Sequence, residues 1–181
     1  MDAISLLMDE HQTILRALDA LDAYAGEVSR GGGDPAELGR FVRFIREFAD
    51  ARHHGKEEDI LFAAMVRAGF PREGGPIAVM LMDHDAGRAH VASMARFVDG
   101  APWSDADRAA IVAAASGYAD LLRSHIMKED QILYPMAQAR LPDTALEQVD
   151  RDCATFEARQ VAAGADALKD LARDLVQRHA S

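Results

Sequence analysis

The feature that most limits what this chain can fold into is where its helix breakers fall. Five of its six prolines lie in four short clusters: Gly31-Gly32-Gly33-Asp34-Pro35, Gly69-Phe70-Pro71 with Gly74-Gly75-Pro76, Gly100-Ala101-Pro102, and Leu141-Pro142-Asp143. Only Pro135 falls inside a long segment, and it sits near that segment's end. Ala and Leu are plentiful, β-branched runs are short and aromatics make up 6% of the 181 residues, which is a helical composition. The spacing predicts five helices, about 2–30, 35–69, 76–99, 104–140 and 143–179. Asp34 reads as a cap with Pro35 at the first helical position and Glu37 in the first turn. Ser104 with Asp107 reads as a capping box, and Asp143 as a cap after Pro142. Short connections make neighbouring helices antiparallel. The expected fold is therefore all-α: an up-down-up-down four-helix bundle, with an additional C-terminal helix packed outside, in a single domain over 1–181.

A formal charge of −10 argues against nucleic acid, since no basic stripe is present for phosphates. No apolar run reaches the length of a membrane span. The first residues, Met1-Asp2-Ala3-Ile4-Ser5, lack the basic start and cleavage site of a signal peptide. With Cys153 the one cysteine, no internal disulfide can form, and a cytoplasmic setting is expected. Cys153 on the outer helix reads as inert.

The predicted core contains residues that a plain core would not. On the first helix Ile4, Leu7, Ile14, Leu18 and Leu21 form an apolar stripe, and His11 lies in it. On the second, His53 and Glu57 share the arc of Val42, Ile45, Ala49, Ile60 and Ala64. On the third, Ile77, Leu81, Val91 and Val98 bracket His84. On the fourth, Ile111, Tyr118, Leu122, Ile132 and Met136 bracket His125 and Glu129. One inward histidine is ordinarily a hydrogen-bonded core residue. Two inward glutamates are different, because a buried, unpaired carboxylate costs several kcal/mol or takes up a proton. A bound dication removes that cost and accepts the imidazole lone pairs as well.

The spacing serves the same end. His53-His54-Gly55-Lys56-Glu57-Glu58-Asp59-Ile60-Leu61-Phe62 aligns without a gap onto His125-Ile126-Met127-Lys128-Glu129-Asp130-Gln131-Ile132-Leu133-Tyr134. In each copy a His and the Glu four residues later share one helical face. In an up-down bundle the second and fourth helices are diagonal, so the two copies face each other at one depth. Imidazole and carboxylate without thiolate suit iron or manganese rather than a structural zinc.

These segments, with Gly75-Pro76-Ile77-Ala78-Val79-Met80 leading to Asp83-His84-Asp85, resemble the hemerythrin-like HHE cation-binding family over about residues 4–140. The resemblance implies two non-haem iron ions, oxo- or hydroxo-bridged. It makes His11, His53, His84 and His125 terminal ligands and Glu57 and Glu129 bridges. Two departures matter. The oxygen carriers of the family have a second histidine four residues after the third-helix histidine, where this chain has Arg88. They also use a register that would select His54 with Glu58, and His125 with Asp130. The stripe and the repeat favour His53 with Glu57. In some relatives the residue after the second-helix histidine also ligates, so His54 is a candidate to fill the place left at Arg88. Without it a second coordination position would stand open.

The expected function is binding, sensing or reaction with a small ligand (O2, NO or peroxide), or iron handling. The alternative is a di-iron enzyme that reduces peroxide or nitric oxide or donates iron for cluster repair. A ferritin-like oxidase ranks low, because it requires Glu-x-x-His on two helices, and the nearest spacing here is Asp50 to His53, once. His90 reads as a helix-contact residue, His179 carries no role, and Tyr24 and Tyr118 read as core tyrosines within possible reach of the site.

Overall fold

The computed structural model describes residues 2–99, 102–162 and 166–179. These form six helical rods and, among the described residues, no strand. α1 is Ala3–Ser29, α2 spans 35–67, α3 is Gly75–Ala95, α4 spans 105–140, α5 is Asp143–Ala162 and α6 is Asp166–Arg178. The expected first helix, second helix and fourth helix match within two residues at each end. The third ends at Ala95 instead of 99, and Val98 lies in the turn beyond it. Gly100 and Ala101 of the third breaker lie outside the described residues, as do residues 163–165 within the expected fifth helix.

The caps follow the sequence. Asp34 accepts from Glu37 N at 2.9 Å, and Ser104 and Asp107 complete a reciprocal box. Asp2 caps α1 through Ser5 N, which the sequence reading had not assigned. α5 begins at Asp143 itself, with the Pro142 carbonyl accepting from Ala145 and Leu146. After α1, Gly33 turns the chain at φ +72°, where a Cβ would stand 2.7 Å from Val28 Cγ2, so glycine alone fits.

α1 packs on α4, α4 on α3 and α3 on α2, so α2 and α4 lie diagonally. α5 and α6 run along the groove between α1 and α2. They do more than cover it, since Leu168, Ala172 and Leu175 enter the core. The core is in two parts. One holds Leu18, Tyr24, Phe41, Phe44, Phe48, Ile111 and Leu122. The other holds Ile4, Leu7, Leu61, Phe62, Met65, Ile77 and Leu133. Each fully buried large apolar side chain contributes about 1.5–3 kcal/mol, and the two apolar clusters enclose a polar layer between them.

At that layer α2 and α4 leave α-geometry. Ile45–His54, Glu57–Phe62 and Glu129–Leu133 are π-helical, a wide turn found frequently at functional sites. The wider turn slows the rotation per residue and brings both His53 and His54 inside. It also corrects the stripe. Ile132, expected inward, is 54% exposed, and Leu133 is buried in its place. The π turn precedes Pro135, which lacks the N–H an α-helix would need there.

Candidate metal centre

His11 comes from α1, His53, His54 and Glu57 from α2, His84 from α3, and His125 and Glu129 from α4; all seven are buried. They converge in two four-residue groups: His54, Glu57, His84 and His125, and His11, His53, Glu57 and Glu129. In each group the potential ligand atoms lie within 4.8 Å of one another. Glu57 belongs to both. Glu129 also reaches across, with Oε2 3.1 Å from His125 Nε2 and 3.3 Å from His11 Nε2.

The inner atoms have nothing else to bind. His53 Nε2, His54 Nε2, Glu57 Oε2 and both Glu129 oxygens are buried without a hydrogen-bond partner. Leaving such groups unmet costs about 1–3 kcal/mol each, and more where charged. His84 Nε2 and His125 Nε2 face each other at 3.1 Å. In their neutral form two lone pairs meet there. A cation among these atoms satisfies all of them, so the residues present fit a pair of metal ions.

The outward nitrogens are each met by a carboxylate. His11 Nδ1 is 2.8 Å from Asp130, His53 Nδ1 2.9 Å from Glu10, and His84 Nδ1 2.7 Å from Glu58. His54 Nδ1 and His125 Nδ1 lie 3.3 Å from Asp50 and Asp83. Donation from Nδ1 to a carboxylate fixes the tautomer that presents a bare Nε2 inward. Behind the carboxylates stand cations. Lys56 bonds Glu10, Lys128 bonds Asp83, and Arg88 bonds both Asp50 and Glu58.

This arrangement has an approximate twofold repeat. Glu10-His11 on α1 corresponds to Asp83-His84 on α3. His53, Lys56, Glu57 and Glu58 on α2 correspond to His125, Lys128, Glu129 and Asp130 on α4. Each acid-His pair gives its acid to the first histidine of one repeat, and its own histidine takes the last acid of the other repeat. His54 breaks the symmetry, because Ile126 holds the equivalent place.

The registers separate cleanly. Glu57 is among the inner donors, while Glu58 and Asp130 are the outer partners of His84 and His11. Arg88 is no inner donor either. Its guanidinium holds Asp50 at 2.7 Å, Glu58 at 2.7 Å and Asp85 at 3.1 Å.

The charge pattern follows from these contacts. Burial opposes a charge on His11, but its hydrogen bond to Asp130 and the nearby carboxylates of Glu129 and Glu57 push it up to about 10. Burial likewise opposes His84, and the nearby Glu57 carboxylate with the hydrogen bond to Glu58 push it up to about 9. Burial holds His54 down at about 3. Against its own burial, Glu57 is kept well below the carboxylate range by His53 and His84.

Several participants escaped the sequence reading. Tyr134 donates to Glu57 Oε1 and stands 3.4 Å from His11 Nε2. Burial, with Glu57 and Glu129 beside it, raises its phenol well above the usual value. Lys56 and Arg52 are buried, and both pair with Glu157 of α5, a contact across about a hundred residues that no local pattern signals. The Lys at the same place in both copies of the repeat was the one available clue. Other expectations resolve simply. His90 is outside both groups and packs over Gly117. Tyr24 donates to the Asp34 carbonyl, away from the centre. Cys153 is buried with its thiol pushed up to about 12, which is an inert state. His179, to which no role had been given, is held between Glu27 and Glu37 at 3.1 and 3.0 Å.

The sequence model of the hemerythrin HHE cation binding domain matches residues 2–137. No curated protein matches the chain. Among the described residues no helix is long and apolar enough to cross a membrane.

Proposed function

Since this chain belongs to the hemerythrin HHE cation-binding family, we propose that its polar layer holds two iron ions and that this non-haem di-iron centre binds or reacts with small ligands such as O2, NO or peroxide. The observation that carries the reading is the set of orphaned inner atoms, shared between two overlapping groups. In this reading His54, His84 and His125 serve one ion and His11 and His53 the other. Glu57 and Glu129 reach both. Nitrogen and carboxylate donors without thiolate favour iron over a structural zinc. Bound iron would supply open coordination and one-electron exchange.

The protein's own part is orientation and charge. Five carboxylates hold the imidazoles with their lone pairs inward. Arg88 cannot ligate, having no lone pair, and acts instead by fixing Asp50 and Glu58. His54 takes the place that a histidine at position 88 would have filled. Tyr134 holds one oxygen of Glu57 and keeps that carboxylate's other oxygen turned inward.

The test is metal analysis and an optical spectrum of protein made with ample iron and purified without oxygen. Two irons per chain, with new absorption after exposure to O2, peroxide or NO, are expected. One zinc, or no metal, would overturn the reading.

A further inference from the structure

One contact to the polar layer comes from α5, which lies outside the matched family region. Lys56 is fully buried, and its ammonium bonds two carboxylates, Glu10 of α1 and Glu157 of α5. Glu10 divides its oxygens. Oε1 receives Lys56, and Oε2 stands 2.9 Å from His53 Nδ1. A line of contacts therefore runs from α5 to a metal-facing imidazole, through Glu157, Lys56, Glu10 and His53. Arg52, also buried, lies against both carboxylates, 3.6 Å from Glu10 and 3.1 Å from Glu157.

The other half of the centre is built differently. Lys128, the counterpart of Lys56 in the repeat, bonds Asp83, and its side chain is 31% exposed. An ammonium has three donors, and Lys128 can turn the spare ones to water. Lys56 has no such recourse. Without Glu157 it would compete with His53 for both oxygens of Glu10, since a buried charge that loses one partner takes what remains. α5 is seated to prevent this. Asp150, Cys153 and Glu157 share one helical face. Asp150 accepts from Ala3 N at 2.7 Å, Cys153 lies in the core, and a Cβ on Gly55 would stand 3.6 Å from Phe156 Cζ.

We propose that Glu157 is a positioning residue of the metal centre: acting through Lys56 and Glu10, it sets the imidazole of His53, and so makes α5 part of one metal position. The proposal rests on the di-iron reading and adds a residue, an inequality between the two positions and a connection to the C-terminal helices. That connection runs both ways. Whatever factor α5 lends to metal affinity, bound metal returns to the seating of α5.

The experiment is chelator-competition titration with Fe(II), without oxygen, on wild type, Glu157→Gln, Glu10→Gln and the double variant. Glu157→Gln should weaken one of the two stepwise constants by roughly 3–10-fold, below the range for a carboxylate that touches the imidazole itself, and leave the other within about twofold. Glu10→Gln should weaken the same step by roughly 10–100-fold. The double variant should match Glu10→Gln within about twofold, because the two residues act in one line. Hydrogen exchange of the α5 amides 149–157 in the wild type should slow by roughly 3–10-fold on iron loading. That measurement needs no variant, so it decides the matter even if Glu157→Gln does not fold: unchanged α5 exchange overturns the proposal. So do constants within twofold of wild type in Glu157→Gln, an equal loss at both steps, or effects of Glu10 and Glu157 that simply add; in each case two irons in the wild type leave the di-iron reading standing. If the wild type takes up no iron, that reading fails and this proposal with it.

Discussion

Replacing Glu57 by Gln changes one charge and almost no volume, so its effect can be worked from position alone. The side chain is fully buried, and Oε2 lies 3.7 Å from His53 Nε2 and 3.5 Å from His84 Nε2, one imidazole from each group. A single substitution therefore strikes both groups. The outer layer bounds the scale. Removing a carboxylate that orients a metal-binding imidazole costs metal affinity about 10–100-fold, or roughly 1.4–2.7 kcal/mol. A carboxylate that contributes a donor to both positions must cost more in each. Glu57→Gln is expected to weaken both ions by more than about 100-fold. Glu58→Gln removes only the acceptor for His84 Nδ1 at 2.7 Å, so it should fall within the 10–100-fold range and affect chiefly the ion nearer His84. Chelator-competition titration with Fe(II), read as two stepwise constants, separates the outcomes. If Glu58→Gln loses both ions while Glu57→Gln keeps them, the assignment of inner and outer carboxylates is inverted and the reasoning is refuted.

Three further outcomes follow from the same contacts. In the metal-free protein His11 and His84 are pushed up to about 10 and about 9, so at pH 7 both carry protons that loading must displace; about two protons per chain should be released, and affinity should climb with pH until about 10, whereas pH-independent binding would contradict this. Those raised values also stabilise the metal-free fold, a gain complete below the unfolded value near 6.5 and lost as pH rises through 9 and 10; urea midpoints should fall between pH 6 and 10, less so in His11→Gln, and a flat wild-type profile would count against it. Lys56→Met leaves Glu10 and Glu157 short of a buried cation and should cost about 3–5 kcal/mol in urea unfolding, with a loss under about 1 kcal/mol showing that Arg52 alone suffices.

Periodicity reveals a residue when its role depends on its own helix. His11, His53, His84, His125, Glu57 and Glu129 were visible because each interrupts an apolar stripe, and the bundle was visible because the breakers divide the chain so sharply. His54 was not on a stripe at ideal α-helical rotation; it entered through likeness to relatives, and the π-helical turn explains why it faces inward. The separate π-helical turn Glu129–Leu133 hid Leu133 and made Ile132 look buried. Residues whose role depends on a distant partner gave no local signal. Glu157 meets Lys56 and Arg52 from a helix outside the matched family region, and Glu10 serves a histidine on another helix. Lys56 reads as a solvated charge until its two carboxylate partners are placed beside it.

The layered contacts around the centre also fix how much charge the interior can hold. Glu57 and Glu129 face inward, and Glu10, Asp50, Glu58, Asp83 and Asp130 stand behind the imidazoles. Lys56, Lys128 and Arg88 meet them, while Arg52 and Glu157 cancel each other. With neutral imidazoles, seven carboxylates against three cations leave this cluster, part of it reaching solvent, with four negative charges in excess, which two divalent ions would balance. Loaded with two divalent ions, the cluster would be close to neutral. In a medium of low dielectric, withdrawing an electron from such a cluster is costly unless an anion enters or a proton leaves with it. In the di-iron reading, oxidation would be tied by this charge balance to the entry of an anion or the loss of a proton.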